Sequence, residues 1–169
     1  VAVNLWGQAV ADDCSRLEVA ANAMPPLDTN AIDQAARLIA AARSPMIVVG
    51  GGAQDDASTV RQLANRIGAP VVAFRTGHGI MPDDEDLSIG MPVAHSLWAD
   101  VDLVIGLGTR LQSQVMAWGQ DDDMKIIHID IDEAQIGRSA KIDVGLNARL
   151  SDALPELLAA VEAKADTNP

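Results

Sequence analysis

Apolar residues in this chain recur at two spacings, and the spacing switches back and forth along its length. Short, mainly apolar runs at residues 46–49 (Met-Ile-Val-Val), 70–74, 101–108, 125–131 and 142–146 predict strands. The first has no polar alternation at all, the pattern of a strand covered on both faces. Between the runs, apolar positions fall three and four apart, as on one side of a helix. Ile32, Ala35, Ala36, Ile39 and Ala40 form one such stripe; Val60, Leu63, Ala64 and Ile67 form a second; Leu154, Leu157, Leu158 and Val161 form a third. A short helix is expected near 93–99, and a loop with irregular helix over 109–118. Asp28 or Asn30 can cap the first helix, Pro45 stops it, Gly68 sits where a C-terminal cap belongs, and Ser151 can cap the last. Strands alternating with helical crossovers predict an α/β, Rossmann-like parallel sheet of about five or six strands with helices on both faces.

The same pattern divides the chain. Residues 1–27 read as the tail of a preceding module plus a linker, with an extended run at 1–5 and Pro25-Pro26 stiffening the end. Residues 28–165 are the globular part, and 166–169 a frayed terminus. Beginning at Val1, inside an extended run, the chain is expected to be a piece of something longer.

Composition removes several classes. A 169-residue chain of this kind can bury roughly 70% of its unfolded surface around a single core. No run approaches the ~20 apolar residues needed to cross a bilayer, so no membrane partner is expected. With a net charge of −12, the chain repels a phosphate backbone. Its three tryptophans and one phenylalanine are too scattered for a base-stacking platform, which sets nucleic acid aside. The single cysteine, Cys14, makes no internal disulfide, and no leader opens the chain, so a cytoplasmic location is expected.

Candidate chemistry gathers where the runs end. Gly50, Gly51 and Gly52 follow the first strand and precede a helix, the order of a phosphate-binding turn. The fit to G-x-G-x-x-G is partial, because Asp55 holds the third glycine's place and Arg75-Thr76 stand where an acidic residue belongs. A standard NAD site is therefore not expected, and the loop reads either as a structural turn or as a cradle. The run at 101–108 ends in Gly106-Leu-Gly108-Thr-Arg110, where Arg110 either forks onto a phosphate or carboxylate or pairs with a nearby aspartate. On the next strand His128, Asp130 and Asp132 share a face. Asp132 can accept from a ribose hydroxyl or an adenine amino group, or cap the helix starting at Glu133. The loop over 75–88 is long enough to be functional, and His78 within it is the one histidine placed like a site residue. The aspartate-rich runs at 83–86 and 121–123 lack calcium-loop spacing and read as solvated turns. No nucleophile elbow or zinc-protease motif is present.

Four segments in order carry a family resemblance: Ser44-Pro-Met-Ile-Val-Val-Gly-Gly-Gly52, Gly68-Ala-Pro-Val-Val72, Ala99-Asp-Val-Asp-Leu-Val-Ile-Gly-Leu-Gly-Thr-Arg110, and Ile126-Ile-His-Ile-Asp-Ile-Asp132 with Ile136-Gly137. Together they resemble the central domain of thiamine-diphosphate-dependent enzymes, within the acetolactate synthase, oxalyl-CoA decarboxylase and benzoylformate decarboxylase group. The resemblance implies a non-catalytic, structural or nucleotide-binding-type domain of a decarboxylase or carboligase. Thiamine diphosphate and Mg2+ would be held by flanking pyrimidine- and diphosphate-binding domains of the same polypeptide, within a homo-oligomer. It places the nucleotide-facing positions at Gly50, Gly51, Gly52, Thr76, Gly108, Thr109, Arg110, Asp130, Ile131 and Asp132. No cofactor is expected to be tightly bound in this chain, and an ADP-type nucleotide is the ligand left open. FAD is not expected, because Leu-Gln-Ser-Gln114 replaces the Phe-Asp-Asp-Arg typical of acetolactate synthases and the stretch from Gly90 to Asp102 is short. The alternatives are a free-standing adenine-nucleotide module and a purely structural interaction domain.

Overall fold

The computed structural model describes residues 24–167; the expectations for 1–23 and 168–169 lie outside the described residues. Six strands form one sheet: β1 (Pro45–Val49), β2 (Val71–Ala73), β3 (Ser88–Ile89), β4 (Leu103–Leu107), β5 (Lys125–Asp130) and β6 (Val144–Asn147). Every pairing is parallel, in the order β3-β2-β1-β4-β5-β6. The chain thus builds outward from β1 in one direction, returns, and builds outward in the other. The helices are α1 (Thr29–Ala41), α2 (Ala57–Ile67), α3 (Met91–Leu97), α4 (Gln112–Trp118) and α5 (Leu150–Thr167). The Rossmann-like α/β expectation holds. The two-residue β3, too short to register as a hydrophobic run, adds one strand at the edge.

Local signals explain most boundaries. Asp28 caps α1, its carboxylate accepting from the amides of Asn30 (2.9 Å) and Ala31 (3.1 Å). The buried stripe of α1 is Ala31, Ile32, Ala35, Ala36 and Ile39. Ala40, expected on it, is exposed, because at 100° per residue it lies one step past the stripe's edge. Gly68 closes α2 at φ 64°, a left-handed cap. Ser151 does not cap α5: it lies inside a helix that starts at Leu150, and its hydroxyl donates to Asp152 at 3.4 Å. Asp102 accepts from the amides of Arg43 (2.8 Å) and Ser44 (2.9 Å), tying the entry of β1 to that of β4. Burial opposes its charge, but those two amide bonds and the Arg43 guanidinium act together to hold the carboxyl below its ordinary value.

Strand side chains alternate between two cores. Ile47, Val49, Val71, Leu103, Ile105, Leu107, Ile127, Ile129, Val144 and Leu146 face α1, α2 and α5. Met46, Val48, Val72, Val104 and Ile126 face Ala94, Trp98, Leu111 and Met124. On this second face Gly106, His128 and Gly145 stand in register across β4, β5 and β6. The space above Gly106 is filled by Leu111, and that above Gly145 by Ile136 and Ile142. Loop residues, rather than a helix, close the sheet there.

Candidate functional site

The sheet order changes direction between β1 and β4, and their carboxyl ends open into a crevice, the usual ligand position in open α/β sheets. The two glycine turns that line it pack backbone against backbone. The Gly50 amide donates to the Leu107 carbonyl and the Gly52 amide to the Gly108 carbonyl, both at 3.1 Å. A Cβ on Gly108 would stand 2.6 Å from the Gly52 Cα, and one on Gly51 would stand 2.7 Å from the Thr76 hydroxyl oxygen. These glycines are therefore required by the joint between two turns. Two of the three amides that a phosphate cradle would offer already have acceptors.

Two adjoining spaces flank this joint. The first, about 830 Å³, is lined by Gly50, Gly51, Gly52, Thr76 and Arg75 on one side and by Gly108, Thr109, Arg110 and α4 on the other. The second, about 580 Å³, shares Gly52, Gly108, Thr109 and Arg110 and adds Asp130, Ile131, Asp132 and Arg149. All ten positions named from the sequence line one space or the other. His78 lines neither; it is exposed, and its carbonyl accepts from Gln54, whose side-chain amide also donates to the Thr76 carbonyl at 2.6 Å.

Charge separates the two spaces. No carboxylate lines the first, although the chain carries −12 overall. Arg110 pairs with no aspartate among the described residues, whereas Arg43 pairs with Asp102 and Lys125 with Asp143. Arg75 has no ionic partner among the described residues either, and its guanidinium lies 5.2 Å from the centre of the Phe74 ring. Arg75 and Leu111 have positive φ, 46° and 53°, and both line this space. Asp55, Asp56, Asp130 and Asp132 border the second space. Burial raises the Asp56 carboxyl above its ordinary value, and the charges of Asp55 and Asp152 push it in the same direction.

His128 is the polar residue the sequence reading undervalued. It is 1% exposed. Its Nε2 lies 2.7 Å from the Thr109 carbonyl and its Nδ1 accepts from the Gly137 amide at 3.4 Å, so the network assigns the proton to Nε2. Burial lowers its pKa from the ordinary histidine value, against the smaller opposing effects of the Thr109 bond and the Asp130 charge. The ring is a neutral strut that fixes the Thr109–Arg110 turn over β5. A histidine inside an apolar run was the available signal, since a buried polar ring needs partners. Asp130 accepts from the Asp132 amide at 2.9 Å. Asp132 accepts from the Ala134 amide (3.0 Å) and the Gln135 side chain (3.1 Å), the capping role, over a single 3-10 turn rather than a helix.

Among the described residues, no three His, Cys, Asp or Glu side chains converge to hold a metal ion. Nor is any described helix long and apolar enough to cross a membrane.

Comparison with known proteins matches residues 32–157 to the family model described as thiamine pyrophosphate enzyme, central domain. An acetolactate synthase of Mycobacterium bovis is 39% identical over 140 residues, covering 76% of this chain and 22% of that protein. The Escherichia coli acetolactate synthase isozyme 1 large subunit is 31% identical over 150 residues, 84% of this chain and 27% of that protein. A probable acetolactate synthase large subunit of Methanocaldococcus jannaschii is 33% identical over 140 residues, 77% and 24% respectively. The chain thus spans between 22% and 27% of the length of these relatives.

Proposed function

Because the chain belongs to the thiamine pyrophosphate enzyme central-domain family, in the acetolactate synthase group, we propose that it is the non-catalytic central domain of a decarboxylase or carboligase and holds an ADP-type nucleotide at the β1–β4 crevice. The carrying observation is the pair of arginines without ionic partners, Arg75 and Arg110, in a space with no carboxylate. A diphosphate is bound there by guanidinium groups rather than by a glycine cradle, and the carboxylates of Asp130 and Asp132 lie where hydroxyl or amino donors would reach. Chemistry is left to other domains. His128, the one buried histidine among the described residues, spends both ring nitrogens on backbone groups.

In this reading the parent is a cytoplasmic homo-oligomer, and its flanking domains hold thiamine diphosphate and Mg2+. A tightly bound flavin is not part of the proposal: Leu111 turns at φ 53° to pack on Gly106, so the segment after Arg110 is committed to closing the sheet. Calorimetric titration of the chain with ADP tests the nucleotide claim. Micromolar binding that Arg110→Ala weakens at least ~10-fold, about 1.4 kcal/mol, is expected. No heat at millimolar ADP leaves a structural domain only. Stoichiometric flavin absorbance in purified parent enzyme overturns the exclusion of FAD.

A further inference from the structure

Gln114 stands on α4 with 1% of its surface exposed, and its side-chain amide has a single partner among the described residues. That partner is the Met91 sulfur, 3.9 Å from the amide nitrogen. A thioether accepts and does not donate, so the contact turns the amide N–H groups toward Met91 and leaves the carbonyl oxygen for something else. The oxygen accepts from no group among the described residues. Yet no fully buried side-chain nitrogen or oxygen among them lacks a partner. The little of Gln114 that is exposed is therefore this oxygen, and the space it lines is the first of the two at the crevice. A carbonyl sunk in a wall and open only to a cavity costs desolvation free energy unless a donor meets it.

We propose that Gln114 determines ligand specificity in the first space: its carbonyl oxygen accepts a hydrogen bond from a hydroxyl of a sugar esterified to the terminal phosphate, so that the ligand is an ADP-sugar rather than ADP alone. This rests on the reading of the crevice as an ADP-type nucleotide site. The oxygens of a diphosphate accept and do not donate, so the diphosphate itself gives Gln114 nothing. The donors that ADP does carry, its ribose hydroxyls and adenine amino group, belong in that reading to Asp130 and Asp132 in the second space. A donor for Gln114 must come from a group beyond the diphosphate. There is room for one, since a space of about 830 Å³ is large enough for a whole small-molecule ligand. Charge selects a neutral group. Arg75 and Arg110 oppose a cationic extension in a space with no carboxylate, and the carbonyl of Gln114 presents its negative end to an anionic one.

Calorimetric titration of the full chain with ADP and with ADP-ribose tests this, in the native sequence and in Gln114→Met and Gln114→Glu. Methionine keeps the length of the side chain and removes the acceptor; glutamate keeps an acceptor and adds charge. One neutral hydrogen bond predicts that ADP-ribose binds the native chain about 5-fold or more tightly than ADP does. Gln114→Met erases that preference and leaves ADP affinity unchanged, whereas Arg110→Ala weakens both ligands alike. Gln114→Glu weakens both ligands by repelling the diphosphate yet keeps the preference; it decides the matter if Gln114→Met does not fold, and loss of the preference in folded Gln114→Glu overturns the proposal. Equal affinity of the native chain for ADP and ADP-ribose overturns the sugar subsite and leaves the ADP reading standing. Equal weakening of both ligands by Gln114→Met assigns the residue to the packing of α4 and overturns the subsite in the same way. Absence of binding by either ligand at millimolar concentration overturns the subsite and the functional reading together.

Discussion

The two faces of this sheet are finished differently. One is covered by α1, α2 and α5, whose outer sides carry Asp33, Arg37, Arg61, Arg66, Asp152 and Glu156. The other is covered by two seven-residue helices without charge and by loop residues, Leu111, Ile136 and Ile142, that settle over glycines. Both cores are closed, and every buried side-chain nitrogen or oxygen among the described residues has a partner. The difference lies in the outer surface: long amphipathic helices leave a charged exterior, whereas short uncharged ones leave apolar side chains exposed. The crevice opens at the seam between them, where the β1 and β4 turns meet.

The contrast can be broken in order of expected effect. Leu154→Ala, on the fully buried side of α5, is expected to cost about 2–5 kcal/mol through lost burial and the cavity left behind. Urea unfolding measures it, and a cost below ~1 kcal/mol would mean the long-helix face is not the main support of the fold. At the seam, Gly108→Ala adds a Cβ 2.6 Å from Gly52 at a residue with φ 55°. About 1–3 kcal/mol is expected, together with loss of ADP binding as the two turns part.

The pH dependence of stability probes the thinner face through His128. Its pKa is lowered in the folded state, so between the folded value and the unfolded value near 6.5 the unfolded chain binds more protons. Stability therefore rises with pH across that window, is fully present above about 6.5, and falls as pH falls toward the folded value. Protonation puts a hydrogen on Nδ1 and ends its acceptance from Gly137. His128→Gln flattens this slope in urea midpoints measured from pH 5 upward; an unchanged slope assigns the dependence elsewhere. The smallest effect is Leu97→Lys, expected within about ±0.5 kcal/mol because the side chain is exposed on α3.

Strand runs and helical stripes are set by neighbours within a turn or two, so local pattern placed β1, β2, β4, β5 and β6, and the residues following each strand fell together at the crevice. Ala40 and Ser151 were misplaced because the edge of a stripe and the start of a helix depend on what packs against them. β3 went unseen because two residues carry no period. The glycine loop shows the limit most clearly: its sequence offers three amides to a phosphate, and the fold gives two of them to Leu107 and Gly108.

By itself the sequence determined which elements form, the parallel architecture they require and which residues gather where the strands end. The tertiary structure alone decided what those residues do. Each backbone N–H has one place to donate and each ring nitrogen one partner, and pairs such as Gly52 with Gly108, His128 with Thr109 and Ser44 with Asp102 lie far apart along the chain. Only strand pairing brings them into reach. That same pairing left Arg75 and Arg110 without ionic partners among the described residues.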